Sequence, residues 1–159
     1  MTQIIKPTLR RYKTTNQPSV FLAGSIEMGT ASPWHDEVAE HLNGYASLVY
    51  NPRRDDWDST WVQEIGAEQF NAQVNWELDM IEAADAVFFY FEPNTKSPIT
   101  LLELGIVAAS KPARAVVVCP AGFWRKGNVD IVCERAGLPV RETIDEGLKR
   151  FQALLGTLI

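Results

Sequence analysis

Three short apolar runs limit the possible folds of this chain more than any other feature. Val20-Phe21-Leu22-Ala23, Ala86-Val87-Phe88-Phe89-Tyr90-Phe91 and Ala115-Val116-Val117-Val118-Cys119 are nearly continuous in apolar side chains. Runs of that length read as strands, and strands without polar alternation are covered on both faces. Ser47-Leu48-Val49-Tyr50 reads as a further strand, and Gly137-Leu138-Pro139-Val140 holds a short fifth. Helical stripes lie between them. One starts near Ser32-Pro33-Trp34 and ends at Asn43-Gly44, and one covers Trp61 to Ala83 with Gly66 as a point of division into two. Others run from Ser97-Pro98 to Ser110, from Val129 to Ala136, and onward from Ile144. Strands alternating with helices predict an α/β fold: a doubly wound sheet of four to five mostly parallel strands, with helices on both faces.

Residues 1–18 are polar, carry Pro7 and Pro18, and read as an N-terminal arm before one domain over residues 19–159. Net charge is −5, which argues against a nucleic-acid backbone as partner. The basic cluster Lys6, Arg10, Arg11 and Lys13 reads as a solvated exception. No apolar run approaches the roughly 18 residues of a membrane span, and the N-terminus lacks the apolar core of a leader. Cys119 and Cys133 make no disulfide framework. A cytoplasmic protein is expected.

In doubly wound sheets, ligands bind outside the carboxyl ends of the strands. Those ends are Gly24-Ser25, Asn51-Pro52-Arg53, the loop from Glu92 to Ser97, and Pro120-Ala121-Gly122. The helix after the Glu92–Ser97 loop carries the odd residue. Between Ile99 and Ala109 its only polar side chains are Thr100 and Glu103. A carboxylate in such a stretch is paired, exposed at a cleft, or used. Ser97 offers an N-cap and Pro98 suits the first helical position. Glu103 then stands in the second turn, where the helix dipole favours the ionised form that a nucleophile or base needs.

Other devices lack residues. His35 and His41 are six apart on one helix and face different sides, and no Cys-x-x-Cys or His-Glu-x-x-His spacing exists, so no metal site is expected. Neither histidine falls at a strand end, which leaves a Ser-His-Asp arrangement unsupported. The loop from Gly24 to Gly29 matches neither the Walker nor the dinucleotide fingerprint; it is either a tight turn or a loop whose N–H groups and Ser25 hydroxyl hold a polar ligand group. Asp85 reads as a helix terminator, and Glu77 flanks the same helix end. Trp57, Trp61 and Trp76 either stack on a planar ring or pack in the core.

Taken together, Val20-Phe21-Leu22-Ala23-Gly24-Ser25-Ile26, Asn51-Pro52-Arg53-Arg54, Trp76-Glu77-Leu78 with Ala84-Asp85, the stretch from Ser97 through Glu103-Leu104-Gly105, and Gly122-Phe123-Trp124-Arg125-Lys126-Gly127-Asn128-Val129-Asp130 resemble the nucleoside 2-deoxyribosyltransferase-like family. The match runs in order over about residues 19–145. It implies a flavodoxin-like sheet and cleavage at the N-glycosidic bond of 2′-deoxynucleosides, without metal or cofactor. The resemblance makes Glu103 the nucleophile, Glu77 a contact to the base, and Asn128 a contact to the sugar 5′-hydroxyl supplied by a neighbouring subunit. A homo-oligomer with shared sites is therefore implied. Gly24, Ser25 and Ser97 are placed at the substrate.

Three departures from the family pattern keep alternatives open. The family's strand-one tyrosine is Phe21 here, and the acidic residue six before the nucleophile is Ser97. The loop Gly24-Ser25-Ile26 resembles the related deoxynucleotide N-hydrolases, whose serines at Ser25 and Ser97 bind a 5′-phosphate; those enzymes carry arginine and glycine where this chain has Glu27-Met28, and serine at Asn128. The readings are deoxyribosyl transfer between nucleobases, hydrolysis of a 2′-deoxynucleoside 5′-monophosphate, or a nucleotide-binding module without catalysis.

Overall fold

The apolar runs become the middle of one sheet. The computed structural model describes residues 1–159, apart from the Met28 side chain. Its strands are β1 (Gln3–Ile5), β2 (Ser19–Gly24), β3 (Leu48–Tyr50), β4 (Ala86–Tyr90), β5 (Ala115–Val118) and β6 (Val140–Arg141). They lie in the order β1-β3-β2-β4-β5-β6, and every neighbouring pair is parallel. This is the expected doubly wound α/β fold, with the core strands in flavodoxin-like order. Every residue of β2 and of β5 is buried, which explains why neither shows polar alternation.

Successive side chains on a strand point to opposite faces, and the two apolar layers divide accordingly. Val20 and Leu22 pack with α1 (Trp34–His41) and α5 (Ile144–Gly156). Phe21 and Ala23 pack with α2 (Glu68–Ala83), α3 (Pro98–Ser110) and α4 (Lys126–Ala136). On the first face the approach is close: a Cβ at Gly147 of α5 would strike Val118 and Phe88.

Three features differ from the sequence expectation. The sheet has six strands rather than four to five, because Gln3–Ile5 joins its edge beside β3. Three residues with one buried side chain, Ile5, leave almost no periodic signal. The rest of the expected arm is tied down by single polar contacts: Tyr50 Oη donates to Arg11 O at 2.8 Å, Trp76 Nε1 to Leu9 O at 2.9 Å, and Lys13 pairs with Asp85 at 2.7 Å. The helix expected from Trp61 begins only at Glu68. Val62 and Ile65 are exposed, so burial does not repay helix formation before Gly66. Finally, α4 starts at Lys126, three residues before the expected Val129.

No helix among the described residues is long and apolar enough to cross a membrane.

Candidate active site

The site lies where strand order reverses. From β2 the chain goes to β3 on one side of it, and the next strand, β4, lies on the other. Both β2 and β4 therefore end at the switch point, the place where doubly wound sheets bind ligands. At the end of β2, Ser25 N–H donates to Tyr90 O at 3.1 Å and Trp34 Nε1 donates to Ser25 O at 2.9 Å. Gly24 has a packing reason: a Cβ there would collide with the Trp34 ring and the Tyr90 carbonyl.

This tight turn brings Ser25 into a buried cluster of hydroxyls. Its Oγ accepts the Glu92 N–H at 2.8 Å and lies 2.6 Å from Ser97 Oγ and 2.9 Å from Thr95 Oγ1. Thr95 Oγ1 and Ser97 Oγ are themselves 2.9 Å apart. Ser25 and Ser97 thus meet as the sequence predicts, and Thr95 joins them.

The start of α3 corrects one expectation. Ser97 occupies the N-cap position, but its side chain caps nothing. Its φ of +46° is left-handed, and its hydroxyl is committed to Ser25 and Thr95. The backbone just before the helix is held from far away in sequence: Glu27 Oε1 accepts the N–H groups of Ser97 at 2.8 Å and Lys96 at 3.0 Å. Glu27 also has a φ of +46°. Left-handed backbone at such residues costs on the order of 1 kcal/mol each, and a carboxylate at the positive end of a helix offsets part of it.

One turn further along, Glu103 is 7% exposed and its Oε2 has no hydrogen-bond partner. Burial first, and then the negative charge of Glu77, push its carboxyl well above the usual range. The helix dipole was expected to favour ionisation; desolvation and a second carboxyl outweigh it here. Glu77 is raised to about 7 by burial, held down in part by the hydrogen bond from Gln73 Nε2 to its Oε1 at 2.8 Å. Two helices thus present carboxyl groups close enough for the charge of Glu77 to raise Glu103 further. The pair holds a proton near neutrality.

Other expected residues sort as follows. Trp76 is fully buried against Phe21, at 6.2 Å between rings, and belongs to the core. Trp57 and Trp61 sit together at 5.2 Å on the loop after β3, with Arg54 over Trp61 at 4.9 Å. Arg53 reaches away from the carboxyl pair, donating to Ser32 O at 2.7 Å and Gly29 O at 2.8 Å. Asp85 joins the ends of α2 and β2, accepting from Ser19 N at 2.8 Å and Ser19 Oγ at 2.9 Å. Asn128 is exposed on α4, in a groove with Leu101, Trp124 and Val132, and Glu103 does not line that groove. Of the histidines, His41 is exposed, while His35 is buried and lowered to about 3 by burial and by the charges of Arg53 and Lys6. Among the described residues no group of three or more His, Cys, Asp or Glu side chains converges as a metal ligand set.

Sequence reasoning missed Thr95, Gln73 and Arg54, and it placed Glu27 only as a departure from the pattern of the related hydrolases. The signal for Gln73 was its position four residues before Glu77 on one helix face. Nothing local connects Glu27 with Ser97, which are 70 residues apart. Besides Glu103 Oε2, Asn51 Nδ2 and Trp57 Nε1 are buried polar atoms without a partner near the strand ends. Such atoms are available to a polar ligand.

A known family model matches the chain. The model described as nucleoside 2-deoxyribosyltransferase like covers residues 17–123. That segment contains Ser25, Glu27, Gln73, Glu77, Thr95, Ser97 and Glu103, and it stops before Asn128. No curated protein matches the chain.

The carboxyl pair makes a stability prediction. A carboxyl whose pKa is raised by folding contributes stability that is fully present below its unfolded value, about 4.3, and lost as pH rises through the folded value. For this pair the loss runs upward through about 7. Glu103→Gln removes one titrating group while keeping its shape. Urea unfolding should show the variant more stable than the parent by on the order of 2 kcal/mol at pH 8, with the gain shrinking toward pH 5. A gain independent of pH contradicts the pairing.

Proposed function

We propose, for a chain that belongs to the nucleoside 2-deoxyribosyltransferase-like family, that it breaks the N-glycosidic bond of 2′-deoxynucleosides and passes the sugar to a second nucleobase through Glu103. The observation that carries this reading is the buried Glu103 carboxyl, unpartnered at Oε2 and facing Glu77 beside the sheet's switch point. Breaking the bond builds positive charge on the sugar, which a carboxylate close by stabilises or captures. In the first step the C1′–N bond breaks with its electron pair going to the base. The base takes the proton held by the carboxyl pair, and a Glu103 oxygen bonds to C1′. In the second step a nitrogen of the incoming base attacks C1′, Glu103 leaves as carboxylate, and the proton lost by that nitrogen returns to the pair. Water in place of the second base gives hydrolysis.

The hydroxyl cluster of Ser25, Thr95 and Ser97 supports a second reading, a 5′-monophosphate substrate seated at the start of α3. Glu27 speaks for the unphosphorylated nucleoside. Its carboxylate already sits at the start of α3, accepting the N–H groups of Lys96 and Ser97, and two anions at one helix terminus repel.

Assembly into a homo-oligomer with shared sites belongs to the same reading. What supports it is apolar surface left on α3 and α4: Leu102 is 65% exposed, Ile131 61%, Ile99 57%, and Trp124, which shares a groove with Asn128, 47%. A partner subunit covering such side chains removes them from water. Sedimentation should show an oligomer that Leu102→Glu dissociates, with loss of activity; an active monomer contradicts shared sites.

The activity itself is read by incubating the protein with a 2′-deoxynucleoside and a different free base, then separating products. The swapped nucleoside should appear and be lost by at least about 1,000-fold in Glu103→Ala, the scale of removing a nucleophile. Free base alone means hydrolysis. Binding without turnover of any deoxynucleoside, or of its 5′-monophosphate, contradicts the enzyme reading. In the same assay Glu27→Gln should raise kcat/KM for the monophosphate relative to the nucleoside by about tenfold, the effect of removing roughly 1.4 kcal/mol of repulsion; an unchanged ratio contradicts the selectivity argument.

A further inference from the structure

The site contains a side chain whose orientation is forced from one end and used at the other. Gln73 lies in the second turn of α2 and is 5% exposed. Its Oε1 accepts from Arg54 Nη1 at 3.2 Å. Its Nε2 donates to Glu77 Oε1 at 2.8 Å and points at Pro52 O at 3.4 Å. A guanidinium only donates and a proline carbonyl only accepts, so the amide has one workable orientation. Its N–H must face Glu77.

Arg54 is itself held. Its Nε and Nη2 donate to Asp56 Oδ1 and Oδ2, both at 2.9 Å, and the guanidinium covers Trp61. A bidentate pair of this kind fixes the plane of the guanidinium. The sequence of contacts Asp56, Arg54, Gln73 and Glu77 therefore runs from the aromatic loop after β3 into the carboxyl pair. At its inner end one Glu77 oxygen is occupied. Among the described residues no hydrogen bond reaches the other, Oε2.

We propose that Gln73 is a positioning residue: its amide, oriented by Arg54, holds Glu77 by Oε1 in one rotamer and leaves Oε2 for the substrate's base. The same contact favours negative charge on Glu77, because the amide can only donate to it. The resting proton is then directed to Glu103, whose Oε2 has no donor to stabilise a charge. The charged groups facing Glu77 are Glu103 from α3 and, across Gln73, Arg54 with Asp56 from the loop after β3. Gln73 is the side chain that makes the two carboxyls of the pair unequal.

The inference rests on the proposed function for its catalytic consequence, but its physical content is readable without turnover. Protein labelled with carbon-13 at glutamate carboxyls is titrated by NMR, with the Glu77 resonance assigned by its loss in Glu77→Gln. Gln73→Met keeps the length of the side chain and removes the amide; Gln73→Glu keeps an acceptor for Arg54 and replaces the donor by an acid. In both, the Glu77 midpoint should rise by about one pH unit or more, the effect of losing a hydrogen bond to a charged group. In turnover assays kcat should fall about tenfold with little change in KM, and the pH profile should shift upward with the NMR midpoint. A Glu77 midpoint unchanged in both folded variants overturns the proposal, whatever the activity. A shifted midpoint in a protein that turns over no deoxynucleoside upholds the positioning of Glu77 and overturns the proposed function instead.

Discussion

Two carboxyl groups on neighbouring helices, Glu77 of α2 and Glu103 of α3, face each other where water is scarce. Burial makes each harder to ionise, and the charge of Glu77 adds to the effect on Glu103. Near neutral pH the pair therefore keeps a proton, and under the proposed function that proton is the one a departing nucleobase would take. The two carboxyls do not have the same surroundings. Here the difference is Gln73, which serves Glu77 and not Glu103.

The scaffold sets that geometry by placing α2 and α3 on one face of the sheet while β2 and β4 part at the switch point. The start of α3 is then anchored at the switch point. Glu27 holds the N–H groups of Lys96 and Ser97 just before it and Ser25 holds the Ser97 hydroxyl, so the helix carrying Glu103 is pinned to the loop after β2. Left-handed backbone at Glu27 and Ser97 is tolerated because these contacts over-determine it. A carboxylate at that terminus gives the site a polarity: one end is already anionic, the other offers the carboxyl pair.

Much of this was legible in the sequence. Unbroken apolar runs identify strands buried on both faces, and a lone glutamate in an apolar helix identifies Glu103, because a carboxyl there needs a reason. Gly24-Ser25 and Ser97 were readable from their places at strand ends. What escaped were features with no local signature. β1 is three residues long and exists only because β3 offers an unpaired edge. Ser97 stands at the N-cap position of α3 and reads in sequence as its cap, whereas its hydroxyl is turned to Ser25 and Thr95 and caps nothing. The ionisation of Glu103 was misjudged for the same reason: a helix dipole is visible in sequence, while the depth of burial and the nearness of Glu77 are tertiary facts.

The account depends on Glu103 forming a bond to the sugar. The direct measurement mixes the protein with a 2′-deoxynucleoside in the absence of an acceptor base, quenches in acid, and maps the digested peptides by mass. The peptide containing Glu103 should gain the mass of one deoxyribosyl group, and the gain should vanish in Glu103→Gln. Turnover with no adduct, or with the sugar on another carboxyl, would contradict the account.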